Sequence, residues 1–242
     1  MTRPYADVIG DPISHSKSPL IHGFWLNALG IDAEYRATHV TPDQLGDFIA
    51  SRRDDPNWRG CNVTLPHKIA VMDHWRDPGL VRASIGSMNT IARDEAGELF
   101  GTNSDAGGFY GPISDLPLAG APVVVAGTGG AAHAVLFALS RLDVGPVTLL
   151  ARNPLKGAAL LARFGLKGDV RAMDAALPSA QLLVNTTSLG MAGQPPFVPD
   201  LSPLPSDAVV YDIVYAPLVT PLLAAAEARD LQIVDGLEML VG

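Results

Sequence analysis

The chain has 242 residues, of which 48% are hydrophobic and 17% charged, a composition that is typical of a packed globular protein and excludes a disordered one. This length allows one large domain or two small ones, and two is the more common solution. The formal net charge of −8 comes without any basic block, which argues against nucleic acid as a partner.

Residue content also argues against metals, disulfides and membranes. Cys61 is the only cysteine of the sequence, and the six histidines lack the spacing of metal ligands. No apolar run approaches the roughly 20 residues of a membrane helix, and Asp7 precedes any stretch of signal-peptide length. We therefore expect a cytoplasmic protein that binds no metal and no membrane, and we leave a monomer and a homodimer open.

The first half of the chain alternates short apolar strands with helical stretches. The patterns predict strands at residues 5–9, 33–39, 60–63 and 88–92, and helices at 19–29 and 42–52. Each helix has a proline just inside its start, behind Ser18 or Thr41 as the cap. A hairpin around residues 95–98 follows, and a glycine- and proline-rich connection begins at Gly107. We place a domain boundary near Asp105.

The second half repeats this alternation. We predict strands at residues 123–126, 147–150, 182–185 and 209–213, with helices at 130–142 and 154–164. The order predicts an α/β fold with a mainly parallel sheet in each of two domains, 1–105 and 106–235. The repeat length of the second domain suits a doubly wound, Rossmann-like dinucleotide-binding unit.

A glycine-rich turn follows the first strand of the second half directly. It has the pattern G-x-G-x-x-A, which reads Gly127-Thr128-Gly129-Gly130-Ala131-Ala132. In a dinucleotide-binding unit such a turn lets the backbone approach a pyrophosphate at a helix N-terminus. A turn that binds no ligand is the alternative, but the strand before it and the helix after it favour a nucleotide site.

The end of the next strand indicates which nucleotide is bound. An acid there would bind the ribose hydroxyl of NAD, whereas a cation would bind the 2′-phosphate of NADP. The sequence has no acid at this position, but Arg152 and Lys156 lie four residues apart across a predicted helix start. Solvated surface cations are the alternative. We predict NADP as the cofactor.

Polar residues also follow the strands of the first half, where open α/β sheets form their ligand crevices. Three groups are present: residues 10–19, residues 62–68, and residues 89–90 together with 103–105. Each group taken alone could be a turn. Together they supply one lysine, one aspartate and several neutral hydrogen-bonding groups, which suits a polyhydroxylated acid.

These motifs together resemble the shikimate dehydrogenase family. The resemblance extends from Tyr5 to Val241 and includes the groups above together with residues 86–90, 101–108, 185–191, 211–217, 220–223 and 235–240. It implies an NADP-dependent oxidoreductase that reduces 3-dehydroshikimate to shikimate, on the route to aromatic amino acids. It also implies two domains with a cleft between them, residues 236–242 returning to the first.

The resemblance also implies roles for individual residues. Lys68 and Asp105 form the catalytic pair, and Lys68 is the group we expect to give the proton to the forming C3 alkoxide. Substrate binding falls to Ser16, Ser18, Asn62, Thr64, Asn89 and Tyr215. The residues expected to bind the cofactor are Gly127, Thr128, Gly129, Gly130, Ala131, Arg152, Lys156, Asn185, Thr187, Ser188, Gly236 and Met239. Thr186 is expected to border the nicotinamide together with its neighbours Asn185, Thr187 and Ser188.

The chain departs from the family pattern at its C-terminus. Family members continue past Met-Leu-Val with a Gln-Ala pair and a further helix, whereas this sequence stops at Gly242. We expect a piece of a longer protein, with a natively short chain as the alternative. Two other functions stay open: an NAD-dependent quinate or quinate/shikimate dehydrogenase, and a non-catalytic module that senses such metabolites.

Overall fold

The computed structural model describes residues 3–241, and the chain divides after Ser104 into two compact units. The first unit is built on five strands, β1 (Tyr5–Gly10), β2 (Glu34–His39), β3 (Trp58–Val63), β4 (Thr90–Arg93) and β5 (Leu99–Thr102). Its helices are α1 (Ser18–Ala28), α2 (Leu45–Arg53) and α3 (Val81–Ser84), with 3₁₀ turns at Pro42–Gln44 and Ala70–His74.

The sheet of the first unit has the order β2-β1-β3-β4-β5. The strands β1, β2 and β3 run parallel, but β4 is antiparallel to both β3 and β5. The prediction of a mainly parallel sheet is therefore wrong for the two pairs that β4 forms, with β3 and with β5. The hairpin around residues 95–98 accounts for the β4–β5 pair, because strands joined by a short hairpin have to run antiparallel.

Helix starts in the first unit also differ from the prediction. The N-cap of α1 is Lys17, so Ser18 lies inside the first turn instead of capping it. The hydroxyl oxygen of Ser16 accepts the backbone N–H of Ser18 at 3.3 Å and takes over part of the capping role. Thr41 caps a 3₁₀ turn, and α2 begins only at Leu45.

Asp7 lies on β1, an inner strand of the first sheet, and is fully buried. It accepts hydrogen bonds from the hydroxyl of Thr38 at 2.6 Å and from Nε1 of Trp58 at 2.9 Å. These bonds join the three parallel strands, and the guanidinium of Arg52 lies 3.6 Å from the same carboxylate. The buried charge is therefore paired and hydrogen-bonded, as burial requires.

The second unit contains six strands, β6 (Val123–Ala126), β7 (Val147–Leu150), β8 (Gly168–Arg171), β9 (Leu182–Asn185), β10 (Val209–Asp212) and β11 (Gln232–Val234). Its helices are α4 (Asp105–Tyr110), α5 (Gly130–Leu139), α6 (Pro154–Arg163), α7 (Pro221–Glu227) and α8 (Gly236–Val241), with a 3₁₀ turn at Gly111–Ile113. All pairs are parallel in the order β11-β10-β9-β6-β7-β8. This is the doubly wound Rossmann order, so the predicted α/β class is confirmed.

Both faces of the second sheet are covered, which explains why its strands read as continuous apolar runs. Val123 and Val125 face a cluster that contains Leu136 and Leu160 from α5 and α6. Val124 faces a second cluster, which contains Leu222 and Leu223 from α7. The strand β8 is polar and β11 has only three residues, so neither contains a continuous apolar run. The sequence patterns therefore did not predict these two strands.

The helix α8 packs within the second unit. It contacts α4, and the backbone oxygen of Met239 comes so near Gly108 that a Cβ there would lie 2.4 Å from it. The family resemblance implies that residues 236–242 return to the first domain, whereas the described part of this segment, residues 236–241, groups with the second unit. None of the helices within residues 3–241 is long and apolar enough to cross a membrane.

Candidate functional site

The predicted site residues of the second unit, which are expected to bind the cofactor or in the case of Tyr215 the substrate, follow strands that all end at the same edge of the sheet. Gly127 comes after β6, Arg152 after β7 and Thr186 after β9, while Tyr215 and Gly236 come after β10 and β11. In a parallel sheet these carboxyl ends form one edge. The order of the sheet reverses between β6 and β9, and ligands bind at such a switch point.

The turn after β6 requires glycine at its first position. Gly127 has φ +110°, and a Cβ there would lie 2.6 Å from Oγ1 of Thr186. The Thr186 hydroxyl donates to the carbonyl oxygen of Ala126 at 2.6 Å. The turn and the loop after β9 are therefore in direct contact at the switch point, which leaves no room for a side chain.

Gly129 serves a different purpose from Gly127. It is the N-cap of α5 with φ −84°, and a Cβ at this position would meet no atom within 4 Å. The first amides of a helix lack intrahelical acceptors, so this open backbone at the start of α5 can bind a phosphate group. Behind it, Ala132 is fully buried and lets the helix pack closely.

Arg152 and Lys156 lie at the start of α6, and both are exposed. Asn153 caps this helix, since its side-chain oxygen accepts the backbone N–H of Lys156 at 3.1 Å. Neither cation forms an ion pair with another described residue. Because residues 149–156 contain no acid, two unpaired cations beside a helix start suit the 2′-phosphate of NADP.

Asn185 organises the loop after β9 from a fully buried position. Its side-chain oxygen accepts the N–H of Thr187 at 3.0 Å and the hydroxyl of Thr187 at 2.7 Å. Its Nδ2 donates to the carbonyl oxygen of Leu189 at 3.1 Å and to Oδ1 of Asp212 at 2.9 Å. The loop that carries Thr187 and Ser188 is thus held in one conformation.

Asp212, at the end of β10, was missed as a site residue. It is fully buried, and it also accepts the N–H of Val214 at 3.1 Å and the hydroxyl of Thr220 at 2.7 Å. Burial raises the pKa of this carboxyl. An acid at the end of an apolar strand was the available signal, since the other candidate residues were selected in the same way.

Three further predicted residues lie on the β10 and β11 side of the second unit. Tyr215 is half-buried in the loop after β10. Gly236 begins α8 against this loop, because a Cβ there would lie 2.4 Å from the carbonyl oxygen of Ile213. Met239 is partly buried and packs against the core cluster of the unit.

In the first unit, backbone hydrogen bonds join two of the predicted substrate groups. A Cβ on Gly10, the last residue of β1, would lie 2.6 Å from Cγ2 of Thr64. The N–H of Thr64 donates to the carbonyl oxygen of Ile9 at 2.9 Å, and that of Asp11 donates to Leu65 at 2.9 Å. The loop that leads to Ser16 and the segment after β3 therefore start side by side.

The third group joins the second in the same way. The N–H of Met88 donates to the carbonyl oxygen of Lys68 at 2.7 Å, and the N–H of Val63 donates to that of Asn89 at 2.7 Å. Asn62 and Asn89 are linked through the Thr90 hydroxyl, with bonds of 3.1 and 3.0 Å. The structure thus brings Asn62, Thr64, Lys68 and Asn89 together in the first unit.

The three remaining predicted residues lie at the start of a helix or just before one. Ser18 is buried in the first turn of α1, and Ser16 precedes it with a half-buried side chain. Asp105 is the first residue of α4 and belongs to the second unit, immediately after Ser104 in the chain.

The fold and these two groups of residues define a class of protein. It is the class of α/β proteins in which one unit binds a small ligand and the other is a Rossmann-type dinucleotide-binding unit.

Comparison with known proteins narrows this class. The sequence profile of the shikimate dehydrogenase substrate binding domain matches residues 8–91. The shikimate dehydrogenase (NADP(+)) of Sphingopyxis alaskensis is 65% identical over 239 residues, which cover 99% of this chain and 87% of the relative. The chain belongs to the shikimate dehydrogenase family.

Solved structures agree with this assignment. The crystal structure of shikimate 5-dehydrogenase from Thermus thermophilus, in complex with NADP(H) and shikimate, has a TM-score of 0.82 at 34% identity and covers 98% of this chain and 88% of its own. Quinate dehydrogenase from Corynebacterium glutamicum, in complex with NAD, also has a TM-score of 0.82, at 27% identity, covering 99% and 90%.

Proposed function

We propose that this chain is an NADP-dependent shikimate dehydrogenase, which reversibly reduces the C3 carbonyl of 3-dehydroshikimate to the hydroxyl of shikimate. The observation that carries the proposal is the switch-point edge of the second unit. At this edge, the tight turn at Gly127 leads into the open start of α5 at Gly129. The neighbouring strand β7 is followed by the cations Arg152 and Lys156 and by no acid. The 65% identity to a shikimate dehydrogenase (NADP(+)) supports the same substrate and cofactor.

Each unit has its own task in this proposal. The first unit binds the substrate, with Ser16 and Ser18 on the carboxylate and with Asn62, Thr64 and Asn89 around the ring hydroxyls. Tyr215 contributes to the substrate from the second unit. Neutral hydrogen-bonding groups suit a polyhydroxylated ligand, since each can be satisfied by one hydroxyl.

The cofactor residues of the second unit fit NADP. The backbone of Gly127, Thr128, Gly129, Gly130 and Ala131 accommodates the pyrophosphate, and Arg152 with Lys156 binds the 2′-phosphate. Asn185, Thr187, Ser188, Gly236 and Met239 border the nicotinamide. When it is bound, the reduced nicotinamide supplies the hydride.

Lys68 and Asp105 form the catalytic pair in this proposal, and Lys68 transfers the proton. Addition of hydride to the ketone leaves negative charge on the C3 oxygen, so a proton donor has to lie within hydrogen-bond reach of that oxygen. The Lys68 ammonium donates this proton, and in the oxidative direction its neutral amine accepts the hydroxyl proton. Asp105 orients Lys68 and a neighbouring substrate hydroxyl.

A single assay tests the proposal against its competitors. Purified protein is mixed with shikimate or quinate, and with NADP⁺ or NAD⁺, while the absorbance of the reduced nicotinamide is followed. We expect turnover with shikimate and NADP⁺. Preference for quinate and NAD⁺ would identify a quinate dehydrogenase, and binding of shikimate without turnover would identify a sensor module.

Three further statements stay predictions from the sequence: a cytoplasmic location, a monomer or a homodimer, and no nucleic-acid partner. Fractionation, light scattering and a nucleic-acid binding assay at stated salt would test them.

A further inference from the structure

A chain of side-chain hydrogen bonds crosses the first unit and includes two of the proposed substrate residues. We call it the polar chain, and its members are Tyr35, Asn62, Thr90, Asn89 and Ser104. The Tyr35 hydroxyl donates to Oδ1 of Asn62 at 2.5 Å, and Nδ2 of Asn62 donates to Oγ1 of Thr90 at 3.1 Å. The Thr90 hydroxyl donates to Oδ1 of Asn89 at 3.0 Å, and Nδ2 of Asn89 donates to Oγ of Ser104 at 2.9 Å.

The direction of the polar chain is set at its Ser104 end. The backbone N–H of Ser104 donates to Oδ1 of Asn89 at 2.9 Å, and a backbone N–H can only donate. The atom of Asn89 that faces Thr90 is therefore the oxygen, so the Thr90 hydroxyl has to donate to it. Thr90 is then left to accept, and the atom of Asn62 that faces it has to be the nitrogen.

These donor and acceptor roles along the polar chain determine the orientation of the Asn62 amide. With its nitrogen towards Thr90, Asn62 turns its oxygen towards Tyr35, and the Tyr35 hydroxyl has to donate. One of the two amide hydrogens of Asn62 is used by Thr90, and among residues 3–241 no group accepts the other. Asn62 consequently offers a hydrogen-bond donor to a ligand, which suits an oxygen of a substrate hydroxyl.

The fold holds Tyr35 in place for this bond. In the register of the parallel strands Tyr35 lies opposite Ala6, and Asn62 lies opposite Val8. Positions 6 and 8 of β1 point to the same face, so the tyrosine ring crosses β1 on that face to reach Asn62. The imidazole of His22 in α1 stacks on the ring, with centroids 4.1 Å apart and planes 13° from parallel.

We propose that Tyr35 is a positioning residue for the substrate site: its hydroxyl fixes the Asn62 amide so that Asn62 presents a donor to a ring hydroxyl of the substrate. The proposal rests on the proposed function for the identity of the substrate. Tyr35 lies on the edge strand β2, outside every motif of the predicted site.

The test replaces Tyr35 by Phe, which removes the hydroxyl and keeps the ring. We expect KM for shikimate to rise about fivefold to tenfold, as for the loss of one hydrogen bond, with KM for NADP⁺ unchanged. Tyr5→Phe is the matched control, because the Tyr5 hydroxyl also makes one bond in this unit, to Oδ2 of Asp55 at 2.7 Å. It should leave both KM values unchanged.

A double-mutant cycle distinguishes positioning from a general structural role. If Tyr35 acts through Asn62, then Tyr35→Phe should have no further effect on KM in the Asn62→Ala background. Additive effects of the two substitutions, or an unchanged KM in Tyr35→Phe alone, would overturn the proposal.

A further measurement does not depend on activity. The side-chain NH₂ signals of Asn62 in nuclear magnetic resonance spectra should shift and exchange faster with water in Tyr35→Phe, but not in Tyr5→Phe. Unchanged signals would overturn the proposal even if the wild-type protein neither bound nor oxidised shikimate. That last result would instead overturn the proposed function, and the Asn62 signals would still decide the role of Tyr35.

Discussion

Lys68 and Arg152 are the cations on which the proposed chemistry depends most, and they lie in different surroundings. Lys68 is half-buried after β3, with its carbonyl oxygen bonded to the N–H of Met88 at 2.7 Å. Arg152 is exposed after β7. A group that transfers a proton contributes to turnover, whereas a group that binds a phosphate contributes to cofactor affinity. Substitution of each should therefore change a different kinetic constant.

Lys68→Ala should lower kcat for shikimate oxidation by about 10²- to 10⁴-fold, the usual contribution of a general acid or base. KM for shikimate should change much less, because the neutral groups around the substrate remain. Steady-state kinetics in both directions measure this. Lys167→Ala, which removes an exposed lysine of the second unit, is the control. A raised KM with unchanged kcat would assign Lys68 to binding alone.

Arg152→Ala should raise KM for NADP⁺ by about tenfold to hundredfold, as expected for a lost hydrogen bond to a charged phosphate. KM for NAD⁺ should stay nearly constant, so the preference for NADP⁺ is lost. Kinetics with both cofactors test this, with Arg141→Ala as the control, since Arg141 lies over the ring of Phe137 at 5.1 Å instead of at a strand end. Unchanged cofactor kinetics would contradict the prediction.

At the scale of elements, the loops after β6, β9 and β10 form one hydrogen-bonded assembly. The Thr186 hydroxyl bonds to Ala126, and the Asn185 side chain bonds to Asp212. Asp212 then accepts the hydroxyl of Thr220, which caps α7. Changes to this assembly should therefore affect the stability of the second unit as well as cofactor binding.

Two glycines of one turn should respond differently to alanine. Gly127→Ala should lower the free energy of unfolding by about 1–3 kcal/mol, because a side chain is strained at φ +110° and its Cβ would contact Thr186. Gly129→Ala should fold with nearly unchanged stability, since its Cβ would meet open space, yet it should raise KM for NADP⁺. Urea denaturation and kinetics separate the two effects. Equal losses of stability in both variants would contradict this explanation.

Asp212 should give the protein a pH dependence of stability with a defined sign. Burial raises its pKa in the folded state, so the folded protein holds this proton more tightly than the unfolded chain does. The stability that Asp212 contributes should therefore fall as pH rises from about 4, the ordinary carboxyl value, through the raised pKa. We expect the difference in unfolding free energy between wild type and Asp212→Asn to decrease over this range in urea denaturation.

Asp200→Asn is the matched control for this prediction. Hydrogen bonds from the backbone N–H and the hydroxyl of Ser202 lower the pKa of Asp200. Its contribution to stability is therefore lost as pH falls, and the difference between wild type and Asp200→Asn should change with pH in the opposite direction. The same sign for both aspartates would contradict our account of Asp212.

At the scale of the whole molecule, the proposal assigns different ligands to the two units. In hydrogen exchange, NADP⁺ should protect residues 127–131, 151–156 and 185–188, since a ligand stabilises the segments that bind it. Shikimate should protect residues 16–18, 62–68 and the neighbourhood of Asn89. Protection by shikimate confined to the second unit would contradict this division of tasks.

Features that depend on residues close together in the chain could be predicted from the amino-acid sequence alone. The four apolar residues of β6 followed by Gly127 and Gly129 predicted a nucleotide turn, and the absence of an acid beside Arg152 predicted NADP. Asn62 and Lys68 were selected because polar groups that follow a buried strand collect at a sheet edge. These signals are local, so they can be read without knowledge of the fold.

Features that depend on pairing between distant segments became visible only in the folded protein. The antiparallel pairing of β4 with β3, the bond from Asn185 to Asp212 and the bond from Tyr35 to Asn62 each join residues that the sequence gives no reason to combine. A hydrogen bond between side chains depends on strand order and register, which are fixed by the packing of the whole sheet. That is the physical reason why Tyr35 could be recognised only in the folded protein.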